Sequence, residues 1–239
     1  LENGGQKRYI LQRMNDDIFK NPVELMENVM NVTSFLRNKI VERGGDPERE
    51  TLNVIRTVNG DNFLKDEDGD FWRMYIFIEN ATSFDMVRTP EDFYNSAVSF
   101  GNFQLLLQDY PAATLHETIP NFHNTVSRFG DFKKAVEEDV CGRAKEVQDE
   151  IRFVLDREAD THVICDALAN GEIPLRVTHN DTKLNNIMID NETGKGICVI
   201  DLDTVMPGSA LYDYGDSIRF GASTGAEDEK NLDLVSCDM

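Results

Sequence analysis

Val177-Thr178-His179-Asn180-Asp181-Thr182-Lys183-Leu184-Asn185-Asn186-Ile187-Met188-Ile189-Asp190, a polar turn, and then Gly196-Ile197-Cys198-Val199-Ile200-Asp201-Leu202-Asp203 form the stretch that decides the fold. Ile187 to Ile189 and Ile197 to Ile200 are short apolar, β-branched runs, and Asn191-Glu192-Thr193-Gly194-Lys195-Gly196 between them is turn chemistry, so the segment reads as a β-hairpin. Antiparallel pairing brings the outer ends of a hairpin together. Asn186 stands just before the first strand and Asp201 just after the second, which sets an amide oxygen beside a carboxylate. Two hard oxygen ligands at one point suit Mg²⁺, which takes few protein ligands and completes its shell with phosphate and water.

His179, Asp181 and Lys183 stand at alternate positions in the turn leading to Asn186 and are expected to face the same point. Phosphoryl transfer asks for metal ions on the phosphates, a carboxylate that orients or deprotonates the nucleophile, and a cation for the moving charge. All three are present, with Asp181 as the carboxylate placed for a substrate hydroxyl. The spacing His-x-Asp-x-Lys-x-x-Asn-Asn followed by Ile-Asp-x-Asp resembles the catalytic and metal-binding loops of the aminoglycoside phosphotransferase and choline kinase superfamily, relatives of the protein kinases. The other reading is a polar turn beside an ordinary hairpin with a solvated Asp-x-Asp.

The 239 residues suffice for one large domain or two lobes. No apolar run approaches the roughly 20 residues of a membrane span, which argues against a membrane protein. Cys141, Cys165, Cys198 and Cys237 are scattered, with no Cys-x-x-Cys and no secretory signal, and imply a reducing, cytoplasmic setting rather than a disulfide framework. A formal net charge of −20 argues against nucleic acid or an anionic membrane as partner, since both require basic patches. It favours a cationic substrate such as an aminoglycoside, although a solvated acidic surface is the commoner cause. The chain starts at Leu1 in what reads as the middle of a hairpin, so a fragment is expected.

Tyr9-Ile10-Leu11-Gln12-Arg13-Met14 is strand-like after a turn-rich Glu2-Asn3-Gly4-Gly5-Gln6. In the resembling fold the third strand of the small lobe carries a basic residue that contacts nucleotide phosphates, usually Lys; Arg13 is the candidate here, set against a plain surface arginine. Asn21-Pro22-Val23-Glu24 starts a helix, with Asn21 as cap, Pro22 at the first helical position and Glu24 closing a capping box. This helix runs to about Val41 and buries Leu25, Val29, Val32, Leu36 and Ile40; by the resemblance Glu27 would pair with Arg13, against an exposed Glu27. Asn53 to Thr57 and Phe71 to Ile78 read as strands separated by a charged turn at Lys65–Asp70. The second strand ends where the family has its hinge, which gives Phe77, Ile78 and Glu79 to adenine by position, although a plain buried strand fits as well.

From Pro90 the pattern turns helical. Glu91 to Asp109 presents Phe93, Ala97, Phe100, Gln104 and Leu107 on one side, and Phe132 to Leu155 reads as one long charged helix. His123 lies in a loop, read as surface or substrate-facing. A further helix begins near Pro207 and carries Arg219. The composition shift near residues 80 to 90 divides the chain into 1–80, an incomplete N-lobe of strands and one helix, and 81–239, a C-lobe with the catalytic hairpin. The expected fold class is α+β, protein-kinase-like and two-lobed.

Within the superfamily, Thr-His-Asn-Asp-Thr-Lys-Leu-Asn-Asn, Ile-Asp-Leu-Asp-Thr-Val-Met-Pro-Gly and Asp-Tyr-Gly-Asp-Ser-Ile-Arg most resemble bacterial N-acetylhexosamine 1-kinases, and Leu-Gln-Arg-Met-Asn and Phe-Gly-Asn-Phe-Gln look like theirs too. The resemblance implies ATP and Mg²⁺ as cofactors and the anomeric hydroxyl of an N-acetylhexosamine as acceptor, with an aminoglycoside or choline-type acceptor as alternative. It implies Asp181 as base, Lys183 on the transferred phosphate, Asn186 and Asp201 on Mg²⁺, and His179 as a brace for the loop. Asp203 would touch a second metal or only a backbone amide. The family also has a glycine-rich phosphate loop before the Tyr9 strand and helices beyond Met239, which this sequence does not contain. A catalytically silent nucleotide-binding module is the reading from another class; the intact Asp181, Asn186 and Asp201 favour an enzyme. Nothing in the sequence speaks to oligomeric state.

Overall fold

The computed structural model describes residues 6–225, 229–231, 233 and 235–236. The expected turn at Glu2–Gly5 and Cys237 lie outside them. The chain forms two compact units, Leu1–Thr118 with Arg176–Met239, and Ile119–Leu175. The division expected at residues 80 and 81 falls inside the first unit.

The first unit begins with β1 (Tyr9–Arg13) and α1 (Pro22–Glu42). Asn21 caps α1 by accepting the Glu24 amide, and Leu25, Val29, Val32, Leu36 and Ile40 are buried as their spacing predicts. Burying each such side chain contributes about 1.5–3 kcal/mol relative to exposure. The carboxylate of Glu24 faces His116 at 4.0 Å. β2 (Leu64–Lys65) and β3 (Phe71–Ile76) follow, and β3 lies between β1 and β2 in an antiparallel sheet with Arg13 opposite Trp72. The expected strand at Asn53–Thr57 is reduced to one bridge, Val54 to Tyr75. Its start is tied back, because the Asn53 amide donates to the carbonyls of Pro47, Glu48 and Thr51, and Thr57 closes a turn with Asp61.

After residue 80 the chain adds β4 (Ala81–Thr82) to the sheet of the hairpin, then enters α2 (Pro90–Leu106), held by a capping box between Thr89 and Asp92. The buried stripe of α2 is Ser96, Phe100 and Phe103, continued by Leu107 after its end. This differs from the expected stripe: Phe93, Ala97 and Gln104 line a cavity of about 260 Å³ with residues 210–218. The second unit contains α3 (Thr125–Glu138), α4 (Gln148–Leu155) and α5 (Glu158–Ala169). The single helix expected over 132–155 is broken, because Asp139 ends α3 in the left-handed region and Gly142 also takes a positive φ.

Back in the first unit, β5 (Arg176–Thr178) precedes the hairpin of β6 (Ile187–Asp190) and β7 (Gly196–Val199), paired antiparallel with Ile187 opposite Val199. β8 (Met206–Gly208) returns to pair with β5, and α6 (Ala210–Gly221) follows, capped by Ser209. Phe100, Ile187 and Ile189 form the apolar core under the hairpin. Asp190 pins its turn: Oδ1 accepts from the Thr193 amide at 2.8 Å and the Thr193 hydroxyl at 3.0 Å, and Oδ2 meets Arg49 at 2.9 Å. Arg49 also donates to the Glu79 carbonyl, which joins the end of the small sheet to the hairpin.

These contacts, the Thr193 amide first and then Arg49, lower the Asp190 carboxyl to about 2. A depressed carboxyl contributes stability that is complete above its unfolded value, about 3.9, and is lost as pH falls through the folded one. The difference in urea midpoint between the parent and Asp190→Asn should therefore be flat from about pH 5 to 7 and shrink below about pH 4. A difference that grows toward acid would contradict this.

Candidate active site

The loop between β5 and β6 is shaped by one buried carboxylate. Asp213, in the first turn of α6, accepts the His179 amide at Oδ2 (3.0 Å) and the Asn180 amide at Oδ1 (2.8 Å), and it also takes the side-chain amide of Gln104. Burial raises the Asp213 carboxyl above its ordinary value, and the two backbone donors oppose that rise. Asn180 turns the chain at φ +68, a conformation that Asn tolerates better than most residues. Its side chain donates to the Thr204 carbonyl at 2.7 Å, and Thr204 returns a hydroxyl to the His179 carbonyl at 2.7 Å. Thr182 is held in the same way by Asp216, through its amide at 2.6 Å, and Asp216 is in turn paired with Arg219.

His179 is fully buried, edge-on to Phe100 and Phe103 at 5.3 and 5.9 Å between ring centroids. The Asp181 amide donates to Nδ1 at 3.3 Å, so Nε2 carries the proton given to the Ile200 carbonyl at 2.9 Å. The imidazole thereby ties the loop to the residue before Asp201.

Asp181 is only partly exposed. Oδ2 accepts from the Asn186 amide nitrogen at 2.9 Å, and Oδ1 lies 3.2 Å from Lys183 Nζ. The same Asn186 nitrogen donates to the Asp181 carbonyl at 2.8 Å, which fixes the amide with Oδ1 as its acceptor atom. The Ile200 amide bonds the Asn186 carbonyl at 2.9 Å, so the hairpin register continues to the neighbourhood of Asp201. Asp201 takes φ +56. Desolvation first, and then the charges of Asp203 and Asp181, raise its carboxyl, an environment that a bound cation would reverse.

A cavity of about 330 Å³ is lined by Asn186 and Asp201 together with Phe77, Ile78, Gln12 and Arg73. Among the described residues no three His, Cys, Asp or Glu side chains gather to hold a metal. An amide oxygen and one carboxylate are a donor set that fits Mg²⁺ completed by phosphate and water.

Other expected site residues are placed elsewhere. Arg13 is exposed and paired with Asp70 at 3.1 Å and Asp16 at 3.8 Å; its neighbour Gln12, on the opposite face of β1, lines the cavity instead. Glu27 bonds Nε2 of His116 at 2.7 Å and does not pair with Arg13. Glu79 pairs its carboxylate with Arg8 and is absent from the cavity lining. Asp203 is paired with Arg73, at 2.6 and 2.8 Å through both oxygens. Arg73 and Gln12 were not foreseen. The signal was a lone cation in the otherwise apolar strand Phe71-Trp72-Arg73-Met74-Tyr75-Ile76.

A sequence model described as the phosphotransferase enzyme family, APH, matches residues 1–233, and the chain belongs to that family. Its structure is similar to the crystal structure of an aminoglycoside phosphotransferase from Alicyclobacillus acidocaldarius (TM-score 0.58, 12% identity, covering 89% of this chain and 61% of that one). It is also similar to a microcompartment-associated aminopropanol kinase (0.53, 13%, 90% and 63%) and to the GDP complex of aminoglycoside 2'-phosphotransferase-IIIa (0.50, 13%, 82% and 64%). At these identities the likeness is one of fold, α+β and protein-kinase-like. The chain spans about three fifths of the length of these proteins. No helix of the described residues is long and apolar enough to cross a membrane.

Replacing Asp213 with Ala leaves two buried backbone N–H groups without their acceptor. Each such loss costs about 1–3 kcal/mol. Asp213→Ala should lower unfolding stability by about 2 kcal/mol or more, measured by urea denaturation; a change within error would show that the loop holds itself.

Proposed function

We propose that this protein is an ATP- and Mg²⁺-dependent phosphotransferase that phosphorylates a hydroxyl of a small molecule. The observation that carries the reading is the state of Asp181: its carboxylate is oriented by the Asn186 amide and Lys183, beside a cavity lined by Asn186 and Asp201. Family membership and the GDP complex of a protein of similar fold support a nucleotide in that cavity. Phe77 and Ile78 offer it an apolar wall. Asn186 and Asp201 would hold Mg²⁺, which supplies positive charge to the phosphates when bound. Asp181 orients the acceptor hydroxyl and takes its proton, while Lys183 stabilises charge on the transferred group. His179 keeps Asp181 in register through the amide bonded to Nδ1.

For the acceptor we infer the anomeric hydroxyl of an N-acetylhexosamine, on the strength of the motif resemblance; aminoglycosides and choline-type alcohols are the competing acceptors. Cys141, Cys165 and Cys198 are free thiols, which fits a reducing compartment and supports a cytoplasmic assignment.

The test is ATP consumption against hexosamines, other hexoses, aminoglycosides and choline, repeated with Asp181→Asn. An N-acetylhexosamine should be turned over, and Asp181→Asn should lower kcat by about 10²-fold or more with little change in nucleotide affinity. Near-normal kcat in the variant would remove Asp181 from the chemistry. Lost nucleotide affinity together with a lowered Tm would make it a structural turn residue.

A further inference from the structure

Arg73 is buried to 3% exposure at the wall of the nucleotide cavity, a costly place for a cation without partners. Every edge of its guanidinium is engaged. Nε and Nη2 donate to Gln12 Oε1 at 3.1 and 2.9 Å, Nη1 and Nη2 meet the two oxygens of Asp203 at 2.6 and 2.8 Å, and Nη1 lies 3.9 Å from the Met26 sulfur. The Tyr75 ring lies 5.2 Å from the guanidinium carbon. Arg73 stands on β3 and is bonded to Gln12 on β1, so its position is tied to that sheet as well as to Asp203.

Asp203 stands two residues after Asp201, in a short 3-10 turn, and is bonded to an arginine that lines the same cavity as Asp201. A divalent cation beside two such carboxylates would ordinarily take oxygens from both. Here one oxygen of Asp203 accepts from Arg73 Nη2 and the other is buried 2.6 Å from Nη1 without hydrogen-bond geometry, so both lie against a cation that cannot be deprotonated.

We infer that Arg73 is a positioning residue that withholds Asp203 from the metal, so that Asn186 and Asp201 alone bind the ion and the rest of its shell stays open to nucleotide phosphates. This rests on the assignment of Asn186 and Asp201 as the metal ligands. A site with a single carboxylate binds a free divalent ion weakly and needs the phosphates to complete it, which couples metal retention to nucleotide. Freeing Asp203 should convert it into a tighter, nucleotide-independent ion site.

The test titrates Mn²⁺ into nucleotide-free protein by calorimetry, for the parent, Arg73→Met, and Arg73→Met with Asp203→Asn. Arg73→Met should bind Mn²⁺ tenfold or more tightly than the parent, a gain that misfolding does not produce. The double variant keeps the parent's net charge and removes both buried ions, so it should bind Mn²⁺ as the parent does. It also decides the matter should Arg73→Met fail to fold. A double variant that loses the parent's Mn²⁺ binding would make Asp203 a ligand and overturn the inference, as would a folded Arg73→Met no tighter than the parent. Absence of Mn²⁺ binding in all three nucleotide-free proteins would overturn the inference, and the same titration with ADP present separates this from the ligand assignment, which fails only if the parent takes no Mn²⁺ with ADP either.

Discussion

The site depends on a buried carboxylate that performs no chemistry. Asp213 receives the amides of His179 and Asn180 through its two oxygens, and so fixes the turn that the loop after β5 makes toward the hairpin. Without that acceptor two donors would be buried unpaired, and the left-handed conformation of Asn180 would lose the contacts that hold it. Asp181 inherits its position from this turn, with the ring of His179 fixing its amide from one side and Asn186 fixing its carboxylate from the other. The Asp181 carboxylate is thus oriented by bonds within the protein itself, the arrangement through which positioning would contribute in the proposed reaction.

Cations in and around this site are matched to individual acids although the chain carries a net charge of −20. Lys183 pairs with Asp181, Arg73 with Asp203, Arg49 with Asp190 and Arg219 with Asp216. Desolvation first, and then the charge of Asp203, raises the Asp201 carboxyl, with Asp181 adding to the rise and His179 and Arg73 opposing it. Destabilising the anion in the unliganded state favours any cation that relieves it. The acidic balance of the whole chain is therefore less informative than the way acids are paired one by one.

The hairpin, and the meeting of Asn186 and Asp201 at one cavity, were legible in the sequence because every signal there is local: apolar runs, turn residues, and a ladder that brings the ends together. The buried face of α1 was legible for the same reason. What escaped the sequence is long-range or a matter of phase. Arg73 and Asp203 are 130 positions apart, and Asp213 lies more than 30 from the loop it holds, distances at which no periodicity speaks. In β1 the cavity falls to Gln12, with Ile10 and Leu11, while Arg13 pairs with Asp70 outside it, a one-residue difference that composition does not reveal. The stripe of α2 was offset because Ser96 and Phe103 pack inward while Phe93 and Gln104 face a cavity. The helix expected over 132–155 continued through Asp139 only because Asp is not read as a left-handed stop.

Calorimetric titration of ADP, with and without Mg²⁺, into the parent protein and Asp201→Ala bears most directly on the account. If the cavity beside Asn186 and Asp201 takes a nucleotide through a metal, the parent binds ADP when Mg²⁺ is present, binds it much more weakly when the metal is removed, and loses this difference in Asp201→Ala. Equal binding of Mg²⁺ and ADP by both proteins would contradict it.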